Sequence, residues 1–462
     1  MLMRTPNTNG NDSRLSFWLR VREFAVPPSM IETATARRTA GDWAGACAAA
    51  GFDVDIDLRT LSRRRGREVA DRVRADLRHL APDLLRWHLP RVAPDGLLRP
   101  GTTVALARYD PPDFRSPCGD TGSVHLVART APAWAEAGQR IGLALWEGSR
   151  AGPYPHPRPD RRFRLDLHRH LWDARRSGEL RIRSENADFA GSGRVDPELA
   201  DTVPEGCAVD RWAAEAAILL RAEGRPDGPL RVRAGWRRPL VVELSAEPGP
   251  PALRIAESYP RGAVSALPVL PDAATWTLPD LELLRAGAIT ADRLHPLVAA
   301  ALVPQWTPAA PQRSADPADR PYLVECRGEQ HRIGLLDGVL AALDHDPAEI
   351  RREELLVALT GTPLPCLRAI DRAHRQPDCL AGVRERLDHG DTAGALAVVE
   401  GLLGAGAVLR DGPLRDALAA SAQRRITYGL FRAGLTGYVP PRGRSDRRPG
   451  DRRAHPRNAS LR

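Results

Sequence analysis

The sequence predicts an α+β protein with a helical N-terminal part, a central mixed sheet with helices, and a helix-rich C-terminal half containing one β-hairpin. Three observations predict this class. Apolar residues recur at helical spacing towards both ends, short alternating segments broken by Pro and Gly fill the middle, and the regular strand–helix rhythm of a doubly wound sheet is missing. With 462 residues, 42% of them apolar, the chain is long enough for about three domains with real cores.

Changes in composition divide the chain into five parts. These are a loosely attached N-terminal arm (1–29), a mainly helical module (30–95), an α+β domain with a mixed sheet (96–270), a β-hairpin with a helical array (271–438), and a disordered Arg/Pro-rich tail (439–462). The tail holds eight arginines against two aspartates, so it accounts for most of the net charge of +9. Its composition cannot bury a core, which predicts disorder.

In the helical module, apolar spacing predicts an amphipathic helix over 69–80. Alternation over 52–58 predicts a strand, which would align Asp53, Asp55 and Asp57 on one face. Such a row of carboxylates could hold a hard cation, but the glycine and the distal glutamate of an EF-hand loop are absent. We therefore expect a solvent-facing strand edge.

The central part contains short strand signals interrupted by helices. The candidate strands are 103–107, 124–129, 140–146, 180–183, 230–233, 240–244 and 253–255. Helices are expected near 171–176 and 210–221. Because strands and helices do not alternate regularly, we expect a mixed sheet with helices packed on it.

The C-terminal half begins with a hairpin and continues with helices. Segments 322–326 and 331–335 flank a polar turn and predict the β-hairpin. Asp346, Pro347 and Glu349 supply an N-cap, a first-turn proline and a capping-box glutamate. The predicted helices are 347–359, 364–375, 379–388, 392–403 and 413–433. The last of them carries an i+4 ridge formed by Leu414, Leu418, Ala422, Ile426 and Leu430.

Two segments, 41–50 and 390–399, share the pattern Gly-Asp-x-Ala-Gly-Ala. Both resemble a tetratricopeptide-type helix start, in which an aspartate caps a helix of small residues. A repeat would need a fixed period of about 34 residues, and no such period connects the two segments. We therefore interpret the similarity as shared helix capping.

All 67 basic side chains are arginine, and no lysine occurs in the chain. The phosphate loop of P-loop NTPases, the ATP-binding strand of protein kinases and the Schiff base of PLP enzymes each need a lysine, so these three classes are excluded. Codon usage in a high-GC bacterial genome explains the composition. Selection for a surface without acetylation or isopeptide-tag sites predicts the same composition, so both explanations stay open.

The six cysteines stand singly, without a CxxC pair, at Cys47, Cys118, Cys207, Cys326, Cys366 and Cys379. We expect reduced, buried side chains rather than a disulfide framework or a zinc knuckle. The early apolar segment 15–26 is interrupted by Arg20, Arg22 and Glu23, so it does not read as a signal peptide. No apolar run is long enough to cross a bilayer, and we expect a soluble cytoplasmic protein without a membrane partner.

The sharpest chemical candidate is the segment 163–171, in which apolar residues alternate with polar ones. In a strand, Asp166, His168 and His170 would share one face and could bind Zn or Fe. These residues resemble the first-strand DxHxH of amidohydrolase-type metal hydrolases. The resemblance implies a (β/α)₈ barrel, but the chain lacks the eight strand–helix alternations and the lysine of two-metal members. In a helix, the two histidines would point to separate sides, and the pattern does not decide between strand and helix.

A second possible metal or acid–base cluster consists of His345, His374 and His389. The simpler interpretation places them at helix ends, where an imidazole suits the helix dipole. The chain has no GxSxG elbow, no HExxH and no GxGxxG after a strand. No catalytic residue and no cofactor-binding residue is therefore predicted.

A basic cluster lies just before the helix predicted over 69–80. It consists of Arg63, Arg64, Arg65 and Arg67. Together with the tail, these arginines could contact nucleic acid nonspecifically, although a solvated helix with internal ion pairs explains them more simply.

Three functional hypotheses follow. The leading one is a non-catalytic accessory or adaptor protein that binds a protein partner of unknown identity through the helical C-terminal surface. The alternative is a metal-dependent hydrolase with a Zn or Fe site at Asp166, His168 and His170. The third is nonspecific nucleic-acid binding through the basic segments.

Overall fold

A computed structural model describes residues 8–110, 122–135, 138–148, 158–184, 194–195, 199, 202–235, 239–245, 251–256, 259–260, 262–307, 322–361 and 363–435. The fold is α+β, as the sequence predicts. The described residues form two compact units. Unit one lies between residues 8 and 307, and unit two comprises residues 322–435 together with Ala135, Gly138 and Gln139. No helix in the described part of the chain is both long and apolar enough to span a membrane.

Unit one begins with a group of helices and ends with several short ones. Its helices are α1 (Thr8–Arg20), α2 (Pro28–Thr39), α3 (Trp43–Ala49), α4 (Leu58–Arg65), α5 (Arg67–His79), α6 (Pro82–His88), α7 (Glu179–Ser184), α8 (Val209–Ala222), α9 (Asp272–Thr275), α10 (Pro279–Arg285) and α11 (Pro296–Leu302). A π-helical turn, Val21–Ala25, extends α1.

Two four-stranded mixed sheets lie in unit one. The first has the order β1 (Phe52–Asp55), β6 (Ile141–Trp146), β5 (Val124–Thr130), β4 (Thr103–Tyr109), and only the β1–β6 pair is parallel. The second has the order β7 (Arg194–Val195), β10 (Ala252–Ile255), β9 (Leu240–Ser245), β8 (Gly228–Val232), and only the β7–β10 pair is parallel. A two-stranded ladder joins β2 (Arg91–Val92) to β3 (Leu97–Leu98).

Unit one has two apolar cores. The larger lies between helices α1–α6 and the first sheet and includes Trp87 and Trp172, both fully buried. Residues of the N-terminal segment, among them Phe17 and Val21, belong to this core. The smaller core lies between α8 and the second sheet, around Trp212. The five-part division of the sequence, which followed composition alone, stays a prediction.

Three local expectations for unit one differ from the structure. Residues 180–183, predicted as a strand, form α7, because Leu180 and Arg183 share the buried side of a helix while Ile182 is half exposed. The expected helix near 171–176 is a pair of 3₁₀ turns. The strand predicted over 52–58 ends at Asp55, and Asp57 is instead the N-cap of α4, where its carboxylate accepts from the backbone of Arg59 and Thr60.

Unit two contains a three-stranded antiparallel meander and five helices. The strands are β11 (Tyr322–Cys326), β12 (Glu329–Leu336) and β13 (Val339–Ala342), so a third strand extends the predicted hairpin. The helices are α12 (Pro347–Thr360), α13 (Pro365–Arg375), α14 (Leu380–His389), α15 (Thr392–Leu403) and α16 (Pro413–Arg432), within two residues of the predicted bounds. Its core contains Ile333, Val383 and Leu387.

Candidate functional site

The segment that carries the predicted metal ligands is neither a strand nor an α-helix. It folds into consecutive 3₁₀ turns, Leu165–Leu167 and Arg169–Leu171, in which Leu165 and Leu171 enter the core. A third turn follows at Ala174–Arg176, capped by the carboxylate of Asp173. The short turns place Asp166, His168 and His170 in different surroundings.

His168 and His170 are buried beside an ion pair. Arg183 donates to Glu215 through Nε at 3.0 Å and through a second, shorter contact, and the Nε2 of His168 lies 3.2 Å from the same carboxylate. The Nη1 of Arg183 lies 3.3 Å from the Nδ1 of His170. Burial, and then the positive charge of Arg183, hold the pKa of His170 well below its usual range. Burial alone would raise the pKa of Glu215, but His168 and Arg183 outweigh it and lower this pKa to about 2.

Asp166 has a different partner from the two histidines. Its carboxylate accepts from Arg164 at 2.9 and 2.8 Å, and Arg164 also donates to Glu223 at 2.7 Å. The rings of His168 and His170 are close, with centroids 5.8 Å apart. The structure therefore brings the histidines together around Glu215 and Arg183, and metal binding by the predicted trio stays a prediction.

A second group of buried polar side chains connects α6 to the C-terminal part of unit one. The Nε1 of Trp87 donates to Asp280 at 2.8 Å, and His88 lies 4.0 Å from the same carboxylate. The Nε2 of His295 lies 2.9 Å from Asp83. Burial, followed by repulsion from neighbouring histidines and arginines, lowers the pKa of His88 to about 3, so its imidazole is neutral at physiological pH.

An apolar cleft adjoins this group. Its walls include Trp18, Trp87 and Trp276, with His88 and Asp272 among the polar groups, and it encloses about 110 Å³. Burial raises the pKa of Asp272 to about 6, although Arg162 donates to its carboxylate at 3.0 Å. The cleft could admit a small apolar molecule, but nothing in its geometry selects a reaction.

The basic cluster proposed for nucleic acid lies where α4 meets α5. Arg63, Arg64 and Arg67 are exposed, whereas Arg65 lies 3.3 Å from Glu147. Arg67 lies 3.6 Å from Asp71 on its own helix. The Arg67–Asp71 pair lies within one helix, whereas the Arg65–Glu147 pair joins α4 to the residue after β6. Nucleic-acid contact stays a prediction. The basic tail lies outside the described residues.

Unit two contains a cluster of possible metal ligands that the sequence patterns did not predict. Among the described residues, three ligand atoms of His, Cys, Asp or Glu approach within 4.8 Å of one another at Cys326, His345 and Cys366. His345 belongs to the histidine trio considered from the sequence, but His374 and His389 are not members of this cluster. The three ligands are far apart in the sequence, so only the packing of the meander against α13 brings them together.

Unit two also carries most of the exposed large apolar side chains among the described residues. All but two of the large apolar side chains that the described residues expose belong to it. In the ridge predicted on α16, Leu414 is buried, whereas Ile426 and Leu430 are exposed. Helix α12 exposes Leu355, Leu356 and Leu359. Exposed apolar side chains in this number indicate an interaction surface.

Comparisons with protein families, with curated proteins and with solved structures found no match to this chain.

Proposed function

We propose that the chain is a non-catalytic accessory or adaptor protein whose second unit binds a partner protein through α12. The observation that carries this proposal is that α12 buries none of its described side chains, although it contains five large apolar residues. In unit one, the buried histidines face arginine and carboxylate partners, an arrangement typical of structural ion-pair networks. The proposal therefore rests on unit two.

In the isolated chain, the leucines of α12 leave apolar surface in contact with water, which is unfavourable. Leu355 is 72% exposed, Leu356 46% and Leu359 84%. A helix of this length gains most of its stability by burying an apolar face, and covering one leucine contributes about 1.5–3 kcal/mol. A protein surface that covers this edge would stabilise the helix and gain affinity at the same time.

The charged residues around the leucines indicate the chemistry of the partner's binding surface. Arg327 donates to Glu349 at 2.7 Å and to Glu353 at 2.6 Å, and these two glutamates lie on a different side of α12 from Leu355 and Leu359. The helix also carries the pair 351–352, both arginines, one turn before Leu355. The matching surface is an apolar groove bordered by carboxylates, which takes the helix in the manner of helix-in-groove complexes.

The test compares a Leu355→Glu/Leu359→Glu variant with wild type and with Val408→Glu, which changes another exposed apolar residue, 85% exposed. Glutamate is a good helix former, so the variant keeps the helix while removing its apolar edge. Full-length proteins are purified after cross-linking in the producing cell, and the captured proteins are then purified and titrated calorimetrically. We expect a partner whose affinity falls at least tenfold for the α12 variant alone, and slower amide exchange over 347–360 in the complex.

Two results would contradict the proposal. One is equal partner binding by wild type and the α12 variant. The other is self-association of the wild type, seen by light scattering and lost in the α12 variant, because a second copy of the chain would then occupy the helix.

A further inference from the structure

We infer that Cys326, His345 and Cys366 form a Zn²⁺ site in unit two. The site does not rest on the proposed function, because its argument uses the meander, α13, the loop before α12 and the first turn of α12, but none of the exposed leucines. Cys326 ends β11, Cys366 lies in the first turn of α13, and His345 stands between β13 and the N-cap of α12. Their ligand atoms lie within 4.8 Å of one another, which is close enough to surround one ion after small side-chain adjustments.

The imidazole of His345 is buried and presents one ring nitrogen to the cluster. Its side chain is only 4% exposed, and its Nε2 is buried without a hydrogen-bond partner among the described residues. A buried polar atom without a hydrogen bond carries a free-energy cost. Coordination of a cation at Nε2 would remove that cost.

The other ring nitrogen of His345 has the surroundings of a metal-bound imidazole. Its Nδ1 lies 3.6 Å from the carboxylate of Glu349, and Arg327 holds that carboxylate from the other side. A carboxylate on the second nitrogen fixes the tautomer and orientation that leave Nε2 free to ligate. The ring of His331 stacks on His345 with centroids 4.2 Å apart and planes 9° apart, so the imidazole is also held in its plane.

The two sulfur ligands select the metal. Cys326 and Cys366 are fully buried and are free thiols. Two thiolates and an imidazole suit Zn²⁺, whereas Mg²⁺ and Ca²⁺ prefer oxygen ligands. Two thiolate charges neutralise the ion, so the buried site carries no net charge. Three protein ligands leave the fourth tetrahedral position to a water molecule.

The first measurement is the metal content of the full-length, tag-free protein, purified without chelators and incubated with Zn²⁺ under reducing conditions. We expect about one zinc per chain for wild type, as for a three-ligand protein site. Cys326→Ser, Cys366→Ser and His345→Ala should each lose most of it. Cys379→Ser, which changes a half-buried cysteine of the same unit, and His345→Cys, which keeps a ligand, should retain it.

Two further readouts separate coordination from misfolding and from a disulfide. Cobalt substitution should give the visible and thiolate charge-transfer absorption of a tetrahedral site, weaker in each cysteine variant. In mild denaturant, thiol labelling of Cys326 and Cys366 should be slower with zinc bound than after chelation. Absence of zinc uptake by folded wild type, zinc retained in the Cys326→Ser/Cys366→Ser variant, or a disulfide between these cysteines in the native protein would each overturn the inference. A failure of this site leaves partner binding by Leu355 and Leu359 untouched, so the two proposals fail separately.

Discussion

Glu215 shows how a buried charge in unit one is stabilised by neighbouring charged side chains. Its carboxylate is almost fully buried, and two partners, Arg183 and His168, compensate it. A guanidinium matches a carboxylate with two parallel hydrogen bonds, which a lysine ammonium cannot do. In a chain without lysine, every ion pair of this kind is formed by arginine, and the compensated pair orients the 3₁₀ turn of His168 against α7 and α8.

His88 illustrates the opposite solution, a buried titratable group kept neutral. Its pKa is lowered to about 3, while an unfolded histidine titrates near its usual value of 6.5. Between these two values the unfolded chain binds a proton that the folded chain does not. The free energy of unfolding should therefore fall as pH decreases through this window, by about 1.4 kcal/mol per pH unit for each such histidine.

We predict that His88→Gln reduces this slope. Denaturant titrations of full-length protein between pH 7 and pH 5 measure it, since most carboxylates stay ionised there. His170 contributes a slope of the same sign, because its pKa is also lowered, so the variant should retain part of the dependence. His79→Gln, a change at an exposed histidine on α5, should leave the slope unchanged. An identical slope in wild type and His88→Gln would contradict the lowered pKa of His88.

At the scale of elements, two helical hairpins share one local design. Asp42 and Asp391 are N-caps whose carboxylates accept from the backbone of Gly45 and Gly394 at 2.8 and 2.9 Å. An arginine five positions earlier donates to each carboxylate, at 2.8 and 2.7 Å. The glycine before each aspartate has a positive φ, 81° and 86°, which ends the preceding helix. Shared capping therefore accounts for the similarity of the two segments.

Local signals such as helix caps and apolar spacing determine which elements can be predicted from the sequence. Helices α12 and α15 were predictable because Asp346 and Asp391 cap them and apolar spacing continues beyond the caps. The helix at residues 180–183 was not predictable, because four residues fit both the helical and the strand period. Its conformation depends on a distant contact, the hydrogen bond from Arg183 to Glu215. The cluster at Cys326 and His345 was missed for the same reason, since its spacing is set by tertiary packing and not by a local motif.

The end of α15 gives the prediction at this scale. Gly404 has φ +94°, and a Cβ there would lie 1.8 Å from the carbonyl oxygen of Gly338 in the β12–β13 turn. An alanine at position 404 would therefore have to adopt a positive φ, which favours glycine, and would also displace the backbone of Gly338. Gly361, at the end of α12, has φ +72° with nothing within 4 Å, so its alanine variant has the conformational cost alone, about 1–2 kcal/mol.

We expect Gly404→Ala to destabilise unit two clearly more than Gly361→Ala, measured as the change in denaturation midpoint of full-length protein. Circular dichroism checks that both variants keep their helices. Equal losses would mean that the β12–β13 turn moves freely, and that α15 does not pack closely against it.

At the scale of the whole molecule, the two units have separate cores. No residue of the unit two core, which contains Leu387, belongs to either core of unit one, the larger of which contains Leu106. The chain divides into two compact units, and a compact unit unfolds cooperatively, so we expect each unit to unfold in a transition of its own. Calorimetry of the full-length chain should resolve two of them.

Core truncations assign the two transitions. Leu106 and Leu387 are both fully buried, and replacing either with alanine should cost about 2–5 kcal/mol in its own unit. Leu106→Ala should lower the midpoint of one transition and Leu387→Ala that of the other, and a chelator should act only on the transition that Leu387→Ala lowers. One transition displaced by both variants would instead show that the units unfold as a single cooperative body. In that case, a zinc ion at Cys326 and Cys366 would stabilise the entire chain.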